Sequence, residues 1–354
     1  MRPRPEMVQA LLQAGLCAPS ADNRHTLRFA WRGDTLQMLS TDASSWEGLP
    51  HRRLLAHLAY GAVLENLRLR SLEWGLALHE RVFPEAAEPH RIAELQWTAT
   101  SQPVDPLSAH IETRHTNRRF YQRARLPPAT LQSLTAAALR VPGTQLRWLD
   151  ERAQRRAALR AIRLAETERF RRRELHHELF SAVRFDVGWS GTTDVGLPPA
   201  ALEIELPMRA PFAALRSWRL MRSASLLGLH HALGMRAGYL PAALAPHIGL
   251  VLAEGRPGAE PGAALDAGRA MQRVWLAAQA QGLALQPMAA ATVLLAQQPV
   301  GEWVRAAVQG QIEAAMDAAT PESNGYIPCL LFRLGKASSP TVTACRTLPR
   351  LDAY

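Results

Sequence analysis

The sequence predicts an α+β fold in which one chain contains two related α/β halves. Three observations predict it: a length of 354 residues, an ungapped internal repeat, and alternating helical and strand-like segments. The repeat aligns AYGAVLENLRLRSLEWGLAL (59–78) with DAGRAMQRVWLAAQAQGLAL (266–285), which pairs Gly61 with Gly268 and Gly75 with Gly282. In each copy we expect a glycine to open a helix and Gly-Leu-Ala-Leu to lead into a strand.

A second, weaker match supports the same division of the chain. The helix, proline and strand of LLQAGLCAPSADNRHTLRFAW recur in shortened form in LTAAALRVPGTQLRWL. Two matches in the same order favour a duplicated α/β unit over chance similarity of leucine-rich helices. We therefore predict an N-terminal half at residues 1–110 and a C-terminal half at residues 111–354.

The N-terminal half begins with a helical stripe at residues 5–16, which ends in turn-forming residues at 18–23. Arg32-Gly33-Asp34 indicates a hairpin between strands 27–31 and 35–39. Leucines at helical spacing predict a long helix at residues 51–74, ended by Gly75. Two strands, 76–82 and 91–98, complete this half.

The C-terminal half contains the same kinds of segment and one long interruption. Residues 186–211 lack periodicity and predict a long irregular loop, a candidate lid. The predicted helices are 128–139, 151–180, 217–233, 265–281 and 302–315, and the predicted strands are 145–149, 249–253, 283–287 and 327–334. The tail, 336–354, is rich in Ser, Thr and Pro.

The composition favours a globular protein with anionic small-molecule ligands. The formal net charge is +10, and Lys336 is the single lysine. The arginines are scattered, and the arginine-rich helix at 151–174 lacks the interleaved aromatic residues that stack on nucleic-acid bases. We expect that helix to be solvated, and we expect a small-molecule acceptor and no nucleic-acid partner.

Cysteine usage and hydropathy predict a soluble cytoplasmic protein without a membrane partner. Cys17, Cys329 and Cys345 lack metal-ligand spacing, and their odd number argues against a disulfide framework. The N-terminus resembles a secretory leader that ends at Cys17, but Gln9 and Gln13 interrupt its apolar stretch. No apolar run reaches the ~18 residues of a membrane span.

The stretch Arg114-His115-Thr116-Asn117-Arg118-Arg119-Phe120 (RHTNRRF) is the strongest candidate binding motif. Arginines beside a short hydroxyl suit a phosphate ester, since guanidinium groups offer forked donors and permanent charge. The alternative is a solvated basic linker, the usual role of a charge run.

Four segments resemble the FMN-dependent nitroreductase family. RHTNRRF resembles its Arg-His-Ser-x-Lys/Arg-x-Phe opening, and APSADNRHTLRF resembles its Pro-Ser-Ser-x-Asn-x-Gln-Pro-Trp loop. LDAGRAMQRVWLAAQAQGLALQPM is similar to its central helix and following strand, and LLFRLGKASSPTVTACRTLPRLDAY to its tail. The loop precedes the arginine motif, an order that resembles the fused, internally duplicated (Acg-like) branch. The resemblance implies a nitroreductase-like fold in which one chain mimics the family homodimer, and it is compatible with a further homodimer of whole chains.

The resemblance also implies a set of FMN-binding residues. Arg114 would hold the phosphate with Arg346 from the tail beside it, and Thr116 would keep the family's hydroxyl. Arg118 would lie at the N1/O2 edge of the flavin, where positive charge tunes its redox chemistry. His115 would contribute mostly its backbone. The residues that would meet the ring from the other half are Pro19, Ser20, Ala21 and Asn23.

The sequence departs from the family pattern in two places. Ala21 replaces the second serine, and His25-Thr26-Leu27 replaces Gln-Pro-Trp, so the loop loses hydrogen-bonding groups. The pseudo-symmetric second site lacks an arginine motif, and Val141-Pro142-Gly143-Thr144 lacks the Ser-x-x-Asn portion. We therefore predict one FMN per chain.

Two functions are compatible with this resemblance, and a third alternative is a degenerate interaction module that binds no flavin. The first is NAD(P)H-dependent, ping-pong reduction of nitroaromatic or quinone-type acceptors, in which the flavin carries the electrons and no side chain serves as acid or base. The second is storage of FMN under a lid without turnover. Neither His176-His177 nor His230-His231 has metal-ligand spacing, and we expect solvated or capping histidines there. Trp189 is a candidate to stack on a flavin, and equally a structural tryptophan.

Overall fold

The computed structural model describes residues 4–353 except 25, 42–49, 86, 256–260, 297–300, 302, 322, 324 and 345–350. Its N-terminal elements are α1 (Pro5–Leu16), β1 (Leu27–Arg32), β2 (Thr35–Ser40), α2 (Pro50–Glu73), β3 (Leu76–Val82) and β4 (Arg91–Ala99). They confirm the predicted order of helix, hairpin, long helix and two strands. Gly33 in the hairpin turn and Gly75 after α2 both adopt the left-handed backbone conformation that ends an element.

The second half repeats this order around an insertion. Its framework is α3 (Pro128–Ala138), β5 (Thr144–Trp148), β6 (His247–Glu254), α10 (Pro261–Ala280), β7 (Ala284–Pro287) and β8 (Tyr326–Gly335). The insertion between β5 and β6 holds α4 (Arg152–Arg171), α5 (Arg173–Ala182), α6 (Arg209–Ala214), α7 (Trp218–Leu226), α8 (Leu229–Gly234) and α9 (Leu240–Leu244). Between β7 and β8 lie α11 (Ala290–Leu295) and α12 (Ala306–Ala319), and β9 (Leu351–Ala353) ends the chain.

The two sheets have matching topologies, which makes the fold α+β as predicted. The first sheet has the strand order β3–β4–β2–β1–β9 and the second β7–β8–β6–β5, when both are counted from corresponding ends. The first four strands of each sheet pair in antiparallel fashion. β9 adds to the first sheet parallel to β1, so the C-terminal tail crosses to the N-terminal half.

Helices α2 and α10 cross at the centre of the molecule with their backbones in contact. A Cβ atom on Gly61 would lie 1.9 Å from the carbonyl oxygen of Leu265, and one on Gly268 would lie 2.1 Å from that of Leu58. Both glycines are inside their helices, so the expectation that they open helices is wrong. Glycine is required there because no side chain fits between the two backbones.

Polar contacts beside this crossing follow the same two-fold pattern. Arg273 on α10 pairs with Glu65 on α2 at 2.7 Å, and Gln272 donates to Asn66, also at 2.7 Å. The separation of 207 residues that relates Gly61 to Gly268 also relates Glu65 to Gln272 and Asn66 to Arg273. Burial raises the pKa of Glu65, but hydrogen bonds from Arg68 and Arg273 outweigh it, so the net shift is downward and the carboxylate stays charged.

Several predicted elements differ from those in the structure. The predicted helix 151–180 breaks at Arg172, whose backbone is extended, and the predicted helix 217–233 breaks at Gly228, whose φ is 85°. The last long helix is α12, which begins at Ala306 and not at 302. Helix α11 and strand β9 are short elements without a periodic signal. No helix in the described ranges is long and apolar enough to cross a bilayer.

Replacing Gly61 with alanine should lower the free energy of unfolding by about 3 kcal/mol or more, because the new methyl group would overlap the Leu265 carbonyl. Gly310→Ala is the matched control, since Gly310 lies inside α12 with open space around it. There alanine should stabilise the protein by about 0.5–1 kcal/mol. Urea unfolding measures both changes, and a Gly61→Ala variant of unchanged stability would contradict the close crossing.

Candidate functional site

The arginine segment, residues 114–120, has no regular secondary structure and is held by Asn117. The Asn117 backbone N–H donates to the Leu285 carbonyl at 3.1 Å, and its side-chain amide donates to the Ser338 carbonyl at 2.8 Å. Its carbonyl accepts the Tyr121 hydroxyl at 2.7 Å. Asn117 is buried, so these bonds fix the segment against β7 and the tail.

Arg333 on β8 supports the same segment from inside the protein. Its Nη2 donates to the Arg119 carbonyl and its Nε to Gln286 Oε1, both at 2.8 Å, and its guanidinium lies 3.9 Å from the centre of the Tyr121 ring. Burial lowers the pKa of Arg333 to about 10. Sequence reasoning missed this residue, although a lone arginine in the apolar run CLLFRLG is a usable signal.

Arg114 joins the N-terminal loop to the arginine segment. Its Nε and Nη2 donate to the Cys17 carbonyl at 3.3 and 3.1 Å, and its guanidinium lies 4.4 Å from the centre of the Trp275 ring. Trp275, on α10, in turn donates from Nε1 to the His115 carbonyl at 3.2 Å. The structure therefore brings the two predicted parts of the site together, although 97 residues separate Arg114 from Cys17.

The N-terminal loop, residues 17–24, carries backbone strain and an unsatisfied hydroxyl. Asp22 and Asn23 both adopt left-handed conformations, with φ of 53° and 54°. Within the part of the chain that the structure describes, the buried Ser20 Oγ has no hydrogen-bond partner. Strain and an orphaned polar atom in one short loop are typical of a ligand-binding segment.

Residues 183–203, which we call the covering segment, lie over this loop. The Asn23 side-chain amide donates to the carbonyls of Asp194 and Gly196 at 3.2 and 3.1 Å, and the Gly196 N–H donates back to the Asn23 carbonyl at 3.3 Å. Arg24 donates to the Ser181 carbonyl at 2.8 Å. Residues 186–208 consist of short turns and bends, as predicted, but α6 begins at Arg209, inside the predicted irregular loop 186–211.

The covering segment is also fastened to the arginine segment and to the tail. Arg118 Nη1 donates to the Ala201 carbonyl at 3.3 Å. The Glu203 carboxylate accepts from the Thr341 N–H at 2.6 Å and from the Thr341 hydroxyl at 2.8 Å, and lies 3.6 Å from Arg119 Nε. Three distant parts of the chain thus meet around one site.

Asp22 and Arg118 form the charged centre of the site. Burial lowers the pKa of Arg118, and Asp22 is the first of the charges that oppose this effect. Burial also raises the pKa of Asp22, against the attraction of Arg169, Arg24 and Arg118. Both shifts have the same cause, loss of water around the charged group. A guanidinium shielded from water in this way is suited to an anionic ligand.

The remaining predicted site residues fall into two groups. Pro19, Ser20, Ala21 and Asn23 lie in the N-terminal loop, and His115 and Thr116 lie half-buried in the arginine segment. Arg346 is outside the described residues. Sequence reasoning missed Asp22 and Glu203, because their roles depend on contacts between segments far apart in the chain.

One histidine of each pair is buried and the other is exposed, so the expectation of solvated histidines holds for His177 and His231 but not for His176 and His230. His176 is buried, bonds through Nε2 to the Leu215 carbonyl at 2.8 Å, and contacts Phe180 and Trp218. His230 is also buried. Among the described residues, no group of His, Cys, Asp and Glu is arranged to hold a metal ion.

Two further predictions concern aromatic and arginine side chains in the insertion. The Arg209 guanidinium lies over the Trp189 ring, 5.0 Å from the centre of that ring. The arginine-rich stretch 151–174 is not purely solvated, because Arg155 donates to the carbonyl of Ala242 and Arg172 to that of Trp303. Both observations indicate structural packing of these side chains.

No protein-family model and no curated protein matches this chain. Among solved structures, a nitroreductase with bound FMN from Bacteroides fragilis is similar at 12% identity and a TM-score of 0.37, over 69% of this chain and 94% of that one. The FMN-dependent nitroreductase NfnB from Mycobacterium smegmatis, in complex with NADPH, is similar at 15% identity and a TM-score of 0.34, over 66% and 88%. Likenesses at this level assign no activity to this chain, so its function has to be argued from the contacts of the site.

Asp22→Asn should raise the Tm at pH 7. The folded-state pKa of Asp22 lies above its ordinary value of 3.8, so its ionisation costs folding free energy, and this cost grows as the pH rises from the ordinary value through the folded pKa. The gain should disappear below about pH 4, where the carboxyl is protonated in both states. Thermal unfolding across this pH range measures the difference in Tm between the variant and the wild type. Asp34→Asn in the exposed β1–β2 turn is the control, and equal effects of the two variants would refute a raised pKa at Asp22.

Proposed function

We propose that this chain binds FMN between the arginine segment and the N-terminal loop and is a nitroreductase-like oxidoreductase. It would use NAD(P)H to reduce small nitroaromatic or quinone-type acceptors by ping-pong chemistry. The observation that carries this proposal is Arg118, a guanidinium whose pKa is lowered by burial, held beside a strained loop under the covering segment.

The residues present fit such a cofactor in two respects. The orphaned Ser20 Oγ offers a hydrogen bond to a polar ligand, and Arg118 offers positive charge that an electron-rich ring edge would stabilise. Arg114 already donates two hydrogen bonds to Cys17, but a guanidinium has five N–H groups, so an FMN phosphate would share it with that carbonyl.

The proposed roles follow the two sides of the site. Arg114, Thr116 and Arg346 would hold the phosphate, and the His115 backbone would lie beside them. Arg118 would lie at the pyrimidine edge of the ring. The N-terminal loop would meet the ring from the other half through Pro19, Ser20, Ala21 and Asn23. Bound FMN would accept a hydride from NAD(P)H and pass electrons to the acceptor, so the protein's part is to bind, orient and shield it.

We also propose that the two halves arose by duplication and mimic a homodimer. The matching strand orders of the two sheets support this, as do the reciprocal contacts of Gly61 and Gly268. The crossing of β9 into the first sheet ties the halves together as an exchanged strand ties two subunits. The site would then use one half for the loop and the other for the arginine segment.

The covering segment favours a second candidate, storage of FMN without turnover. Asn23 is bonded to Asp194 and Gly196, and Glu203 is bonded to Thr341, so the covering segment is fastened in its middle and at its C-terminal end. A nicotinamide needs access to the flavin face, and a covering segment that opens rarely would limit that access. The two candidates share the same cofactor and differ in the rate at which it is reduced.

Anaerobic addition of NADPH or NADH to the yellow protein tests these candidates. A reductase should bleach rapidly, whereas a storage protein should bleach slowly. Glu203→Gln should loosen the covering segment and accelerate slow bleaching by about tenfold, because a charge-assisted hydrogen bond is lost. Glu205→Gln, which alters a neighbouring exposed carboxylate, is the matched control. A colourless protein that takes up no added FMN would reject both candidates.

A further inference from the structure

The insertion contains a stretch with a one-sided charge, residues 206–240, which we call the basic segment. It carries five arginines and two histidines but no Asp or Glu. Arg236 pairs with Glu205 and Arg209 stacks on Trp189. Arg219 and Arg222 on α7 are exposed, and neither makes an ion pair with any residue that the structure describes.

Two large apolar side chains protrude beside these two arginines. Leu226, the last residue of α7, is 86% exposed, and Leu227 in the following turn is 92% exposed. Gly228, at φ 85°, ends the helix and turns the chain into α8. The opposite face of α7 is anchored through the buried Met221, so the leucines project from a fixed helix. Adjacent exposed leucines at the end of a fixed helix are a candidate interaction surface.

The helical spacing of residues in α7 places arginine and leucine side chains on the same face of the helix. Arg219, Arg222 and Leu226 are at positions i, i+3 and i+7 of α7, which is one face of a helix. Arginine beside leucine on a solvent-facing stripe is the pattern of segments that rest at a lipid headgroup boundary. Cationic side chains meet anionic headgroups there, while short apolar tips enter the acyl boundary.

Charge complementarity also distinguishes between the partners that could bind this surface. A second copy of the chain docked through the same patch would set Arg219 and Arg222 of one molecule against those of the other, which is repulsive. An anionic bilayer has the complementary charge and accepts both leucines. An acidic protein would satisfy the arginines but would need its own apolar pocket for Leu226 and Leu227.

We propose that the α7–α8 turn is a peripheral docking surface for anionic lipid bilayers, in which Leu226 and Leu227 insert and Arg219 and Arg222 contact headgroups. This docking is independent of the flavin site and requires no membrane-spanning helix.

Co-sedimentation with vesicles tests the proposal. The full chain should bind vesicles of equimolar phosphatidylglycerol and phosphatidylcholine at least about tenfold more tightly than phosphatidylcholine alone, since each arginine near an anionic surface contributes roughly fivefold. The double variant Leu226→Gln/Leu227→Gln should weaken binding by about tenfold or more. Raising the salt concentration should weaken vesicle binding by the wild type, because salt screens the contacts between arginines and headgroups.

The matched control is Leu139→Gln/Arg140→Gln, which removes an exposed leucine and an exposed arginine at the end of α3. It should bind vesicles as the wild type does, and circular dichroism checks that each variant is folded. Absence of binding to the anionic vesicles would overturn the proposal, as would equal losses in the two double variants. Equal binding to polyglutamate that depends on the same leucines would assign the surface to an acidic protein. Self-association abolished by the leucine variant would assign it to a second copy.

Discussion

The backbone contact between α2 and α10 is the constraint on which the rest of the structure depends. Two glycines allow the helices to approach until each backbone touches the other, and the buried Glu65–Arg273 pair lies directly beside them. This crossing joins the two halves, each with its own hydrophobic core, because α2 packs on the first sheet and α10 on the second. A larger residue at either glycine would separate both sheets at once.

The same crossing positions the candidate site. Gln272 on α10 donates to Asn66 on α2, and Asn66 donates to the Ala14 carbonyl near the end of α1, just before the N-terminal loop. From α10, Trp275 holds the His115 carbonyl and stacks on Arg114, which bonds back to Cys17. The loop and the arginine segment therefore meet because the central helices hold one end of each.

Much of the framework could be predicted from the sequence, whereas the contacts of the covering segment and the charged centre could not. The spacing of hydrophobic residues and the positions of glycines predicted the long helices and most strands. The repeat identified both central glycines but did not place them inside the helices. The break at Arg172 and strand β9 lack a local signal, since both depend on tertiary contacts. Asp22 and Glu203 acquire their roles from segments more than eighty residues away, which no local pattern encodes.

We propose that one FMN binds where the arginine segment meets the N-terminal loop. Calorimetric titration of the ligand-free chain with FMN measures this most directly, when wild type and Arg114→Ala are compared. We expect one FMN per wild-type chain and binding weakened by about tenfold or more in the variant, because a charge-assisted hydrogen bond to phosphate is lost. Two FMN per chain, none, or equal affinity in the variant would contradict it.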